Sequence, residues 1–140
     1  MKVHLSRRYM FSASHRLHSD EMSVEENREI YGKCNNPYGH GHNYTIEVTV
    51  SGAVDQQTGM VCNLVDFDAF VRNHIVERYD HQNLNLLPDF AKLVPTTENL
   101  CIAIYDIVNR GFHQAHLEKI RIEETMMNSF EYLGERSEDL

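Results

Sequence analysis

Apolar side chains recur at every second position at both ends of this chain and at every third or fourth position in its middle. That change of period limits the folds open to it. Over residues 3–15 the odd positions carry Val3, Leu5, Arg7, Tyr9, Phe11, Ala13 and His15 while the even ones are mostly polar, the pattern of a half-buried strand. The period returns at Tyr44, Ile46, Val48 and Val50, alternating with Thr45, Glu47, Thr49 and Ser51, and predicts a second strand with a polar outer face. Between them, residues 16–39 are rich in Glu, Asn, Ser and Gly and read as a long functional loop with a helical turn around residues 24–30. Residues 55–59 turn the chain.

Asn63 is placed to cap a helix whose apolar positions Leu64, Phe67, Phe70, Val71, His74 and Ile75 recur at three and four, ending near Tyr79. Beyond Pro88 and Pro95, Thr96 or Thr97 caps a second helix with Leu100, Ala103, Ile104, Ile107 and Val108 inward, and Gly111 is placed to terminate it. Residues 117–125 alternate again, with Ile120, Ile122 and Glu124 on one parity. Met126, Met127 and Asn128 form the expected hairpin turn before a short last strand over 129–133. The expected order is strand, strand, helix, helix, strand, strand: an α+β fold with a four-stranded antiparallel sheet. So few strands leave open edges, which favours oligomerisation.

The length, 140 residues with no repeat or low-complexity tract, suits one domain over residues 1–140. A net charge of −8, from 13 Lys+Arg against 21 Asp+Glu, argues against nucleic acid or an anionic membrane as partner. No apolar run approaches the roughly 20 residues of a membrane span, and the first residues lack the apolar core of a signal peptide. Three cysteines, Cys34, Cys62 and Cys101, are too few and too odd for a disulfide framework, so a cytoplasmic setting is expected.

His40 and His42 share the parity of Tyr44, Ile46 and Val48, about 6.7 Å apart along a strand, and a hairpin brings His15 alongside them. Three neutral imidazoles and one open position form the catalytic zinc pattern; equally, the three are ordinary loop and half-buried histidines. Cys34 lies six residues before His40, where Lys33, a histidine or a bound dication would lower its pKa; the alternative is a loop cysteine without a role. Asp80 beside His81 has the makings of an acid–base dyad, or of a helix-terminal histidine with a solvated carboxylate. Glu124 continues an apolar parity, so it is either a buried carboxylate awaiting two N–H donors or an edge residue where the parity has broken.

The strings FSASHRL, GKCNNPYGHGHNY, DHQNLN, PTTEN and IEET resemble, in order and spacing along almost the whole chain, the 6-pyruvoyl tetrahydropterin synthase family, with the CNNP segment of its animal-type members. The resemblance implies that His15, His40 and His42 bind one catalytic zinc ion per subunit. It also implies that Cys34 is the general base, with Asp80 and His81 as its acid–base partners, and that Glu124 anchors the pterin in a pocket lined by Thr96 and Thr97. It implies the tunnelling fold: two strands, two helices on one face and two further strands, assembled edge to edge into a trimeric β-barrel, with two trimers stacked as a homohexamer. The active sites then lie between subunits, and Asp80 and His81 come from a neighbouring chain.

The implied reaction converts 7,8-dihydroneopterin triphosphate into 6-pyruvoyl-tetrahydropterin in tetrahydrobiopterin biosynthesis, a carbon–oxygen lyase step that expels triphosphate, with magnesium as a further aid. No nicotinamide is required, and the chain carries no dinucleotide fingerprint. Arg16, Lys33 and Arg8 are the candidate cations for the triphosphate. Three departures from the family pattern stand out: Tyr38 for the usual Asn, HQNLN for HKNLD with a consequence for His81, and Met126 and Met127 at a turn beside the pterin entrance. Rival readings are the sibling 6-carboxytetrahydropterin synthase, a pterin- or zinc-binding module without catalysis, and a zinc hydrolase or deaminase. The last would need a general-base Glu and further Cys ligands near the histidines.

Overall fold

The computed structural model describes residues 1–135; the last five positions of the domain expected over 1–140 lie outside the described residues. The two predicted end strands are β1 (Lys2–His15) and β2 (His40–Ala53), joined in one continuous antiparallel ladder from Lys2 opposite Ala53 to His15 opposite His40. Register follows from the alternation: a slip of one residue would turn Tyr9, Phe11, Tyr44, Ile46 and Val48, all buried, toward water. β4 (His116–Thr125) pairs with β2, and β5 (Asn128–Tyr132) closes the far edge.

A fifth strand corrects the expected four-stranded antiparallel sheet. β3 (Gln82–Asn83) pairs parallel to β1 through Ala13 and Ser14, so the sheet is mixed, in the order β3-β1-β2-β4-β5. Two residues carry no readable period. The pairing arises because His81 adopts a left-handed backbone, φ 59°, and donates its N–H to the Ser12 carbonyl at 2.6 Å, turning the chain from a helix end onto the strand.

The apolar face of the sheet is covered by α2 (Leu64–Val71), which runs through a π-type turn (Arg72–Val76) into α3 (Glu77–Tyr79), and by α4 (Thr97–Gly111). Asn63 caps α2, its Oδ1 accepting from the N–H groups of Val65 and Asp66; Thr96 caps α4 by accepting from Asn99. Phe67, Ile75, Tyr79, Leu100 and Ile104 are fully buried against Ile46, Ile120 and Ile122. Gly111 is the last residue of α4 rather than a left-handed terminator. A Cβ there would meet the Phe70 ring at 2.6 Å, so close packing explains the glycine.

The loop over 16–39 contains α1 (Val24–Tyr31), opened by a capping box between Ser23 and Glu26. Asn27, its one buried residue, donates to the carbonyls of Ser19 and Ser23 and accepts from the Ser19 N–H. The loop is thereby folded onto itself. Among the described residues no helix is long and apolar enough to cross a membrane.

Candidate metal centre and active-site residues

β1 ends where β2 begins, and the ladder sets His15 opposite His40 and Ala13 opposite His42. The three imidazoles converge, with ring centroids 4.6, 4.8 and 5.1 Å apart. Gly39, at φ 73°, lets the incoming loop pass against His15, whose carbonyl would lie 3.1 Å from any Cβ at that position. His15 is buried, and its Nδ1 lies 2.7 Å from the Pro95 carbonyl. A carbonyl only accepts, so Nδ1 carries the proton and Nε2 keeps its lone pair.

That Nε2 lies 3.0 Å from Nε2 of His40; a tetrahedral ion with bonds of about 2.0–2.1 Å would hold its ligand atoms roughly 3.4 Å apart. Nε2 of His42 is buried without a hydrogen-bond partner, although Glu124 Oε1 stands 2.9 Å away, outside hydrogen-bonding alignment. All four ligand atoms lie within 4.8 Å of one another. Burial holds His15 and His40 below the usual imidazole range, and the neighbouring His42 adds to the effect at His40. Neutral imidazoles are the form that ligates a metal, so the residues fit such an ion.

Glu124 is brought here by a register irregularity in the β4–β5 hairpin between Glu123 and Thr125, which re-aims its side chain. Its carboxylate is 14% exposed, with Oε1 3.8 Å from His15 Nε2 as well. The parity argument marks this residue as anomalous but does not place it beside the histidines, because no spacing links β4 to the β1–β2 end. Thr97, at the start of α4, is buried with an unpartnered Oγ1. Thr96 spends its hydroxyl on the cap.

Cys34 is half-buried in a 3-10 turn, Gly32–Asn35, and its carbonyl accepts from Leu17, which stitches the turn to the residues after His15. Asp80 and His81 form a pair, Oδ2 to Nδ1 2.9 Å, and the second Asp80 oxygen accepts from the Ser12 N–H at 2.9 Å. That backbone bond, with the facing imidazole, holds Asp80 below the usual carboxylate range. His81 is 82% exposed and opens, with Ser12, Asn43 and Asn83, on a cleft different from the one lined by Lys33 and Asn35. His42 lines the cleft of His81 as well.

Of the candidate cations, Arg16 and Lys33 line one cleft. Arg8 is not brought there: it lies on the outer parity of β1, paired with Glu47 at 2.8 Å. Tyr38 is exposed, and Met126 and Met127 project from the β4–β5 turn into solvent. Asn85, one of the departures, does not touch the dyad; its amide accepts from the Arg16 N–H at 2.7 Å and donates to the Arg16 carbonyl at 2.9 Å.

Fold and site together define an α+β protein with three imidazoles and a carboxylate placed so that they could hold one metal ion. Known proteins narrow this further. The sequence model for 6-pyruvoyl tetrahydropterin synthase matches residues 4–135. The chain is 50% identical over 133 residues to the 6-pyruvoyl tetrahydrobiopterin synthase of Poecilia reticulata, covering 94% of this chain and 90% of the relative. It is 46% identical over 135 residues to that of Homo sapiens, covering 96% and 93%. The solved 6-pyruvoyl tetrahydropterin synthase of Caenorhabditis elegans superposes with a TM-score of 0.92 at 39% identity, covering 96% of this chain and 97% of that one. This chain belongs to the 6-pyruvoyl tetrahydropterin synthase family.

Proposed function

We propose that residues 1–140 form one catalytic domain that converts 7,8-dihydroneopterin triphosphate into 6-pyruvoyl-tetrahydropterin and inorganic triphosphate, as a zinc-dependent lyase in tetrahydrobiopterin biosynthesis. The observation that carries this reading is the convergence of His15, His40, His42 and Glu124 at the open end of the sheet, in a chain with close relatives of that name. The three Nε2 atoms would hold the zinc. When bound, it supplies a Lewis acid that acidifies the substrate's side-chain hydroxyls.

Glu124 accepts from the pterin's 2-amino and ring N–H groups and fixes the ring; two charge-assisted bonds offset the cost of a half-buried carboxylate. Cys34, as thiolate, takes a carbon-bound proton from the substrate side chain. His81, with Nδ1–H held by Asp80, is left with Nε2 to accept a hydroxyl proton and return it. The change is an internal redox reaction. Two hydroxyl-bearing carbons become ketones, the ring C=N bond is reduced, and triphosphate leaves with the electrons of its C–O bond, so no outside oxidant or reductant enters. Thr97 offers the pterin a hydroxyl that has no hydrogen-bond partner among the described residues.

The 82% exposure of the His81 side chain, in a residue with an acid–base role, supports a site completed between subunits, in a hexamer of two stacked trimers. So does the outer edge of β1, which β3 covers only at Ala13 and Ser14. Three unpaired cysteines favour a cytoplasmic setting. A second role for Glu124 is favoured by its 2.9 Å approach to His42: as a fourth metal ligand it would close the site. Glu124→Ala separates the two, since an anchor's loss raises the substrate KM with zinc retained, whereas a ligand's loss lowers the zinc content.

The deciding experiment is to incubate zinc-replete protein with 7,8-dihydroneopterin triphosphate and identify the pterin product by mass alongside released triphosphate. A pyruvoyl side chain is expected. A carboxylated pterin would move the chain to the sibling activity, and zinc binding without turnover would leave a binding module.

A further inference from the structure

The acidic chain gathers cations at one place. A cleft of about 500 Å³ between α1, the Gly32–Asn35 turn and the segment after β1 is lined by Arg16, His18, Arg28, Lys33, Asn35 and Asn36; small-molecule sites span about 300–1,000 Å³. Among the described residues, no carboxylate lines it. On the sheet, Arg7, Arg8 and Arg121 are each neutralised by Asp68, Glu47 and Glu123 or Glu131. Among the described residues, Arg16, Arg28 and Lys33 have no carboxylate within 4.0 Å. Three like charges facing one concave surface repel unless an anion lies between them.

The cleft is also built, not incidental. Arg16 is held at both ends: Asn85 brackets its peptide N–H and carbonyl, and its Nε donates to the Asn35 carbonyl at 3.1 Å. Among the described residues nothing accepts from its guanidinium Nη groups, the fork that phosphate oxygens accept. Arg28 is presented by α1, which the capping box and Asn27 hold in place. Chain continuity ties the cleft to the chemistry, since Arg16 follows His15 and Lys33 precedes Cys34.

We propose that this cleft is a linear-oligophosphate site in which Arg28, together with Arg16 and Lys33, holds the triphosphate tail of the substrate. It rests on the pterin triphosphate reading for the identity of the substrate, and goes beyond it in giving α1 a binding role and in excluding Arg8. The test is calorimetric titration of the full, zinc-loaded chain with inorganic triphosphate and, separately, with unphosphorylated neopterin. Arg28→Gln and Lys33→Gln, both at exposed positions, are each expected to weaken triphosphate binding by about tenfold or more. Neopterin affinity should stay unchanged, which also verifies the fold. Triphosphate affinity undiminished in the double variant would overturn the proposal. Charge-dependent triphosphate binding without neopterin binding would uphold the oligophosphate site and overturn the pterin reading instead.

Discussion

Nε2 of His42 is buried, unpartnered and 2.9 Å from a carboxylate oxygen, an arrangement that a bound cation relieves by accepting the lone pair and balancing the charge. His42→Ala is accordingly expected to lose stoichiometric metal, measured on the purified protein by elemental analysis; a full complement would remove His42 from the ligand set. Cys34 is carried by a turn of its own, Gly32–Asn35. Cys34→Ala should keep the metal yet lose turnover by about 10²–10⁴-fold, the range for a proton-transfer group, and retained activity would strip it of the base role. The HQNLN departure shows how a residue's neighbours in sequence mislead. Asn85 sits four positions after His81, yet its amide is spent on the Arg16 backbone. A carboxylate there would accept from the N–H but have nothing to donate to the carbonyl.

At the level of elements, the caps were legible because they are local: Asn63 and Thr96 each lie within three residues of the N–H groups they satisfy. The end of α4 was not, since the reason for Gly111 is the Phe70 ring on another helix. Gly111→Ala is therefore expected to destabilise the fold by about 1–3 kcal/mol through overpacking, read as a lower denaturant midpoint. A Gly-to-Ala gain in helix propensity, with a raised midpoint, would contradict the packing account. α1 buries only Asn27 and depends on its cap, so Ser23→Ala should cost about 1 kcal/mol locally. Faster hydrogen exchange confined to residues 24–31 is the expected signature; uniform exchange across the chain would mean α1 is held by other contacts.

For the whole molecule, acid stability has an identifiable source. The Ser51 hydroxyl and then the Lys2 ammonium hold the Glu118 carboxyl down to about 2. Its folded value lies below its unfolded one, so the stabilisation is complete above the ordinary Glu range and is lost as pH falls from about 4.5 through about 2. Glu118→Gln should flatten the dependence of stability on pH in that window, measured by denaturant unfolding; an unchanged slope would assign the acid sensitivity elsewhere. What the sequence determined by itself is what short-range physics writes into it. Period-two alternation sets β1 against β2 in a single register, and that register alone carries His15, His40 and His42 to one end of the sheet. The roles of Cys34, the dyad and Glu124 came from resemblance, since adjacency and parity left each open. Only the tertiary structure decided that β3 joins the sheet, that Glu124 turns toward the histidines, and that Arg16, Arg28 and Lys33 share a cleft. Each depends on a left-handed residue, a bulge or the closure of a loop, which brings together side chains that no periodic pattern connects.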